Sequence, residues 1–307
     1  MIILKVPKKL GEENGMERLS NTNKTVKQIC SHPPGAVGLE IYYRYDFRKD
    51  PYFLKKLLLN VQTISATHPV KKIQGMYAET ARCTKSLGFN QGTIENMEKE
   101  IVKGTFSNLI FSHESGIFDG GIHIYDAVGT NPLASLSIMI SNELIVVEEN
   151  LMGRLIEFAK RFWESVGGIY GFIAVGPSWN FVTSECSAIG YGTFGKEPTP
   201  EEIQHNSELG FYKRRQDLQT DFLRKAYWAN FLNRTHVEKL GGFDFIKSKA
   251  PCLKVEELPE GGAYLQLTES PLDFSRSDFP EHLKTLDDFF QPAILPGRPP
   301  VVFGQAQ

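Results

Sequence analysis

Residues 135–175 read SLSIMISNELIVVEENLMGRLIEFAKRFWESVGGIYGFIAV, and this stretch decides the fold. Its opening apolar run, SLSIMIS, predicts a β-strand. Behind that strand, apolar residues recur at intervals of three and four, the pattern of an amphipathic helix that lies on a sheet. Gly167 and Gly168 predict the end of the helix, and IYGFIAVG predicts a buried strand after it. The apolar face of the predicted helix consists of Leu151, Leu155, Phe158, Ala159, Phe162 and Val166.

Another strand is predicted at residues 36–47, AVGLEIYYRYDF. Large apolar and aromatic side chains recur there at every second position, which is typical of a half-buried strand in an antiparallel sheet. Asp50 and Pro51 then predict the cap and the first residue of a helix. The chain therefore alternates strand and helix in both regions.

The last part of the chain predicts short helices and a hairpin. Residues 227–242, YWANFLNRTHVEKLGG, combine an aromatic segment with a short helix that we expect to be capped near Thr235 and to end at two glycines. A hairpin is predicted around residues 259–262, with an apolar second strand. FPEHLKTLDDFFQP, at residues 279–292, predicts a final amphipathic helix.

These elements predict an α+β fold: an antiparallel or mixed sheet with helices packed on one face, possibly arranged as two similar sub-domains. We expect an N-terminal segment at 1–35 that is partly irregular, a single α+β domain at 36–295, and a C-terminal tail at 296–307. Within the domain, the candidate sub-domains are 36–180 and 195–295.

The composition excludes several classes of protein. The chain has 307 residues, of which 41% are apolar and 23% charged, as in an ordinary globular protein. Lys and Arg (34) nearly balance Asp and Glu (36), so the net charge of -2 provides no basic field for nucleic acid. No export signal or membrane span is predicted, and the four cysteines are scattered without a C-x-x-C pair. We therefore expect a cytoplasmic protein with reduced thiols.

The sequence GYGTFGKEP at 190–198 matches the spacing G-x-G-x-x-G of a phosphate-binding loop. Such a loop must lead directly into a helix, whose free N–H groups bind the anion. Here Lys196, Glu197 and Pro198 follow, and the next helix start is predicted only at Thr199. We interpret the glycines as a turn, and we predict no cofactor.

No other set of side chains matches a catalytic or metal-binding pattern. His123 and Asp126 lie three residues apart, so on a strand they point to opposite faces. Cys186 is a candidate nucleophile with His205 as its base, but the spacing of the two residues does not support a catalytic pair. The adjacent polar residues Ser112, His113 and Glu114 do not form a triad by sequence, because triad members normally come from separate segments.

Residues 227–295 resemble a known family. The motifs are YWANFLNRTHVEKLGG, then VEELPEGGAYLQLTESPLDF, then a helix that ends FFQPAIL. Together they resemble the C-terminal part of the type VI immunity family of bacterial polymorphic toxin and type VI secretion systems. GLEIYYRYDF and the stretch 135–175 are compatible with its earlier parts. The residues that carry the resemblance are interpreted as structural; they are Trp228, Phe231, Leu240, Gly241 and Gly242.

The resemblance implies a protein that binds and neutralises a cognate antibacterial toxin by occluding its active site, and that is not an enzyme. With a cytoplasmic location, the implied toxin is one that attacks a cytosolic substrate, such as a nuclease. Such a toxin needs a basic cleft, so acidic side chains are the candidate partner-binding residues. They are Glu148, Glu149, Glu256, Glu257 and Glu260.

The expected partner is the toxin itself, with no direct contact to nucleic acid, no membrane and a possible homo-oligomer. Two alternatives remain open at this point. One is a cytosolic enzyme that uses the glycine loop at 190–195 or Cys186, and the other is an adaptor subunit of a different assembly.

Overall fold

The computed structural model describes residues 35–80, 82–113, 117–124, 134–179, 181–182, 186, 221–298 and 301. The glycine loop at 190–198 and the helix start predicted at Thr199 lie outside these residues. The predicted N-terminal segment lies outside them up to residue 34.

The strands of the described chain form one antiparallel sheet in the order β3-β2-β4-β5-β6-β1-β7-β8-β10-β9. The α+β class is confirmed, and strands from both halves of the chain share this sheet. The strands are β1 Ala36–Tyr43, β2 Lys72–Tyr77, β3 Leu87–Gly88, β4 Phe106–Ser112, β5 Phe118–His123, β6 Ala134–Ser141, β7 Tyr170–Gly176, β8 Ala229–Leu232, β9 Lys254–Leu258 and β10 Gly262–Gln266.

Seven α-helices occur in the described chain, and none of them is long and apolar enough to cross a membrane. They are α1 Pro51–Val61, α2 Gln91–Val102, α3 Asn142–Val147, α4 Leu151–Val166, α5 Arg234–Lys239, α6 Phe243–Lys249 and α7 Phe279–Phe289. Short 3-10 helices lie at Phe47–Lys49, Pro259–Gly261, Pro271–Ser275 and Gln291–Ala293.

Strand β1 is the centre of the core. It pairs with β6 on one edge and β7 on the other, and all eight of its residues are buried. On one face, the ring of Tyr43 meets Phe162 of α4 with ring centres 5.4 Å apart. On the other face, Tyr42 stacks on Tyr170, and the guanidinium of Arg224 lies 5.2 Å from the Tyr42 ring centre. The predicted alternation is therefore correct but the predicted half-burial is wrong, because chain covers both faces.

Helix α4 follows its prediction, and its apolar side lies on the sheet. Trp163 stacks on Phe231 of β8, and Gly167 ends the helix with a φ of 61°. Helix α1 reaches the same face of the sheet through Phe47, whose ring centre lies 5.7 Å from both Phe53 of α1 and Tyr43.

Helix α5 lies against the opposite face. The ring of His236 meets Tyr170, whose side chain shares the Tyr42 face of the sheet. Helices α1 and α4 thus share one face of the sheet, while the short helix α5 helps to cover the other. The cap of α5, predicted near Thr235, is Asn233, two residues earlier, and its side chain accepts from the His236 N–H at 3.0 Å.

A buried ion pair fastens the chain after α7 to the rest of the fold. Arg298 donates to both carboxylate oxygens of Asp287, at 2.9 and 2.5 Å. The same carboxylate accepts from the Ala226 N–H at 2.8 Å, and Arg298 also donates to the Arg224 carbonyl at 3.1 Å. Asp287 therefore joins α7 and the chain just after it to the segment at residues 224–226, which lies 61 residues earlier at Ala226.

Removal of Arg298 should destabilise the protein strongly. We expect Arg298→Ala to lower the free energy of unfolding by about 3 kcal/mol, because it leaves the buried Asp287 carboxylate without its counter-charge. The matched control is Arg276→Ala, which breaks an exposed pair with Asp278 and should have a much smaller effect, because solvent screens that pair. Urea unfolding of both variants measures the difference, and equal losses would contradict the assignment.

Candidate functional site

A groove of about 760 Å³ opens beside the N-terminal end of α4. One wall is formed by α3, residues 148–150 and the first turns of α4, and the other by the start of β9, the end of β10 and residues 269–272. Its volume lies in the range of ligand and side-chain binding pockets. The groove is therefore the first candidate for a binding site.

The buried side chains that line the groove form its floor, which is mainly apolar, includes Gln266 and is held in place by hydrogen bonds. Trp228 is buried, and its indole N–H donates to the Thr268 hydroxyl at 3.0 Å. Gln266 accepts from the Tyr264 hydroxyl at 2.9 Å and donates to the Thr268 carbonyl at 2.8 Å. These bonds fix the side chains before any partner arrives. The apolar lining is Ile145, Leu151, Met152, Ile156, Trp228, Leu253, Pro271 and Leu272.

Glu148 lies in the wall of the groove, but its carboxylate is used inside the protein. It is buried and accepts from the Ser65 hydroxyl at 2.6 Å, the Ala66 N–H at 2.6 Å and the Thr67 hydroxyl at 2.5 Å. It also pairs with Arg154 of α4. Burial acts to raise the pKa of Glu148, but the hydrogen bonds from Ser65, Thr67 and Ala66 outweigh it and hold the pKa below its ordinary value. Glu148 thus ties the loop after α1 to the start of α4.

Three other carboxylates of the groove face solvent. Glu149 and Glu269 are exposed and form no ion pair with the described part of the chain. Glu157 is also exposed and lies 3.5 Å from Lys160. Lys254 is the one basic residue of the lining, and Glu256 already pairs with it. The rim is therefore acidic around an apolar floor.

The remaining predicted carboxylates lie on the β9–β10 hairpin. Glu256 pairs with both Lys160 and Lys254. Burial acts to raise its pKa, but the hydrogen bonds and charges of the two lysines lower it below the ordinary value. Glu257 and Glu260 are exposed, and Glu260 has a φ of 59° in the turn.

The five predicted partner-binding carboxylates are not gathered at one cavity. Glu148 and Glu149 line the groove, whereas Glu260 lines a second cavity of about 190 Å³ together with Trp163 and Gly167. These cavities lie at opposite ends of α4, and a 16-residue helix is about 24 Å long. Sequence analysis missed Glu157 and Glu269, because each stands alone among neutral or basic residues.

The residues that carry the family resemblance are three buried side chains and the two glycines that end α5. Trp228, Phe231 and Leu240 are buried. Gly241 and Gly242 have φ values of 95° and 91°, which end α5 in a conformation that side chains disfavour. Trp228 also belongs to the groove, so this residue connects the core with the candidate site.

The nucleophile and metal candidates do not assemble in the described chain. Cys186 is buried, with its sulfur 3.9 Å from the Leu39 carbonyl oxygen, and His205 lies outside the described residues. Asp126 and Glu114 also lie outside them. No group of three or more potential metal ligands occurs among the residues that the structure describes.

A second polar region lies on the Tyr42 face of the sheet. Glu40 of β1 is buried and accepts from the Ser137 hydroxyl of β6. Asp119 of β5 is also buried, and its carboxylate makes no hydrogen bond or ion pair with the described residues. Burial raises the pKa of Asp119 to about 7.

Comparison with known proteins gives a fold but no family. No protein-family model matches the chain, and no curated protein matches it significantly. A solved structure, that of the Pseudomonas aeruginosa T6SS protein PA0821, is similar with a TM-score of 0.56. The match has 10% sequence identity and covers 91% of this chain and 92% of that one. At this identity the likeness shows a shared fold.

Two adjacent glutamates should differ sharply in their effect on stability. Glu148→Gln removes the charge that Arg154 and three donors share, so we expect the free energy of unfolding to fall by about 2 kcal/mol at pH 7. Glu149→Gln is the control and should change it by less than about 0.5 kcal/mol. Because the pKa of Glu148 is lowered by folding, the difference should shrink as pH falls below about 4. Chemical unfolding at pH 7 and pH 3 measures the difference between the two variants. Equal effects of the two changes at pH 7 would refute the prediction.

Asp119 should contribute to stability in acid and lose that contribution as the pH rises. Its folded pKa of about 7 lies above the ordinary value of 3.8, so the contribution is full below pH 4 and is lost as the pH rises through 7. A pKa raised by about 3 corresponds to roughly 4 kcal/mol, so Asp119→Asn should stabilise the protein by up to roughly that amount at pH 8.5 and by almost nothing at pH 4. Glu79→Gln, at an exposed carboxylate, is the control. If the free energies of unfolding of Asp119→Asn and wild type differ by the same amount from pH 4 to pH 8.5, this explanation is excluded.

Proposed function

We propose that this protein is an immunity protein that binds and neutralises a cognate antibacterial toxin associated with a type VI secretion system. The observation that carries the proposal is the fold shared with a T6SS protein over 91% of the chain. The resemblance of residues 227–295 to the type VI immunity family supports the same proposal. Its action is binding rather than catalysis, and it takes place in the cytoplasm.

A binding role agrees with what the described chain offers. Its prominent concave surface has an apolar floor, an acidic rim and side chains fixed by hydrogen bonds. Fixed side chains reduce the entropy that is lost on association, which favours tight binding of a protein partner. The sulfur of Cys186, the nucleophile of the alternative enzyme hypothesis, is buried.

Neutralisation would follow from occlusion of the toxin's active site. A toxin that acts on nucleic acid carries a basic cleft, and an acidic surface both attracts it from solution and competes with its substrate. Charge attraction raises the rate of association, while burial of apolar side chains slows dissociation.

Co-expression with the product of the adjacent open reading frame tests the proposal. We expect that product to be toxic to bacteria when expressed alone, and survival to be restored when this chain is present. The two proteins should co-purify, and the complex should unfold several degrees above the free chain, because a partner that binds only the folded state stabilises it.

The control for this experiment is an equally expressed chain with Phe231→Asp. Phe231 is fully buried in β8, so the change should abolish folding and with it the rescue. A harmless neighbour, or toxicity without rescue or complex, would remove the proposal and favour the adaptor or enzyme alternatives.

A further inference from the structure

We infer that the groove beside α4 is the surface that holds the toxin, and that it takes a toxin segment with a large apolar side chain flanked by Lys or Arg. The inference rests on the proposed function and adds to it the binding surface and the chemistry of the partner. It uses side chains from α4, β9 and the turn at 269–272.

Leu253 is an exposed apolar side chain of the groove lining. This side chain is 59% exposed at the entrance of β9, beside a groove whose floor contains Trp228 and Ile156. When a partner covers both this leucine and the apolar floor, apolar surface is removed from water and the free energy of the complex is lowered. An aliphatic or aromatic side chain of the partner meets that requirement.

The exposed charges around the groove are mainly acidic. Glu149, Glu157 and Glu269 surround the apolar floor, and Glu149 and Glu269 have no ion pair with the described chain. Lys254, which also lines the groove, is already paired with Glu256. Anionic ligands are repelled from such a rim, while Lys or Arg side chains can pair with Glu149 and Glu269 without displacing an ion-pair partner in the described chain.

The hairpin is a weaker candidate surface. Glu256 already holds two lysines, so a basic partner would have to compete with Lys160 and Lys254. Glu257 and Glu260 are exposed but lie toward the other end of α4, where the cavity measures about 190 Å³. That cavity is a quarter of the size of the groove.

The test measures the affinity of full-length variants for the product of the adjacent open reading frame. Leu253→Asp should weaken binding at least about tenfold, mainly through faster dissociation. The double variant Glu149→Lys, Glu269→Lys should slow association and make it less sensitive to salt. Thermal unfolding of each free variant checks that these exposed changes leave the fold intact.

The matched control lies at the far edge of the sheet. Leu87 in β3 is 43% exposed, and β3 and β9 are the two edges of the described sheet. Leu87→Asp is the control for Leu253→Asp, and Glu79→Lys is a charge reversal at one exposed carboxylate outside the groove lining. Each should leave affinity unchanged.

The results separate this inference from the proposed function. Weakening by the groove variants but not by the control supports both. A stable complex that the groove variants leave unchanged, and that Glu257→Lys with Glu260→Lys weakens, overturns the inference and leaves the immunity function in place. The absence of any complex with the wild-type chain overturns both.

Discussion

The whole fold depends on burying β1 on both edges and on both faces. Its backbone groups pair with β6 and β7, and Tyr42 and Tyr43 point to opposite sides of the sheet into aromatic surroundings. A strand in this position cannot exist without chain above and below it. Helix α4 supplies one cover, and the segment that contains Arg224 supplies part of the other. The Asp287–Arg298 pair then holds that segment against α7.

The groove is a consequence of how β6 and β7 are connected. Both strands run antiparallel to β1, so they are parallel to each other, and the chain must return along the sheet between them. Helix α4 makes that return, and its first turn therefore stands at one end of the sheet beside the start of β9. The Glu148 carboxylate holds this turn against the loop after α1. The same hydrogen bonds therefore fix the position of the groove wall.

The sequence predicts the periodic elements of this fold well and the site only in part. Alternation in β1 and the three-four spacing in α4 are local patterns, and both predict the observed elements. Burial of the second face of β1 is not local, because Arg224 approaches it from 182 residues away. The groove was missed for the same reason: Glu149, Leu253 and Glu269 come from separate segments, and only folding makes them neighbours.

The sequence alone does not distinguish the roles of the acidic residues, because Glu148 and Glu149 are the same residue type in adjacent positions. The fold separates them by the number of donors that each carboxylate already has. The Glu148 carboxylate is bound by Ser65, Thr67 and Arg154, whereas Glu149 is exposed to solvent. A net charge of -2 produces almost no field at long range. A few unpaired carboxylates around an apolar floor nevertheless act strongly within about 8 Å, the screening length at physiological salt. Selectivity for a basic, apolar partner can therefore arise in a chain whose overall composition gives no sign of it.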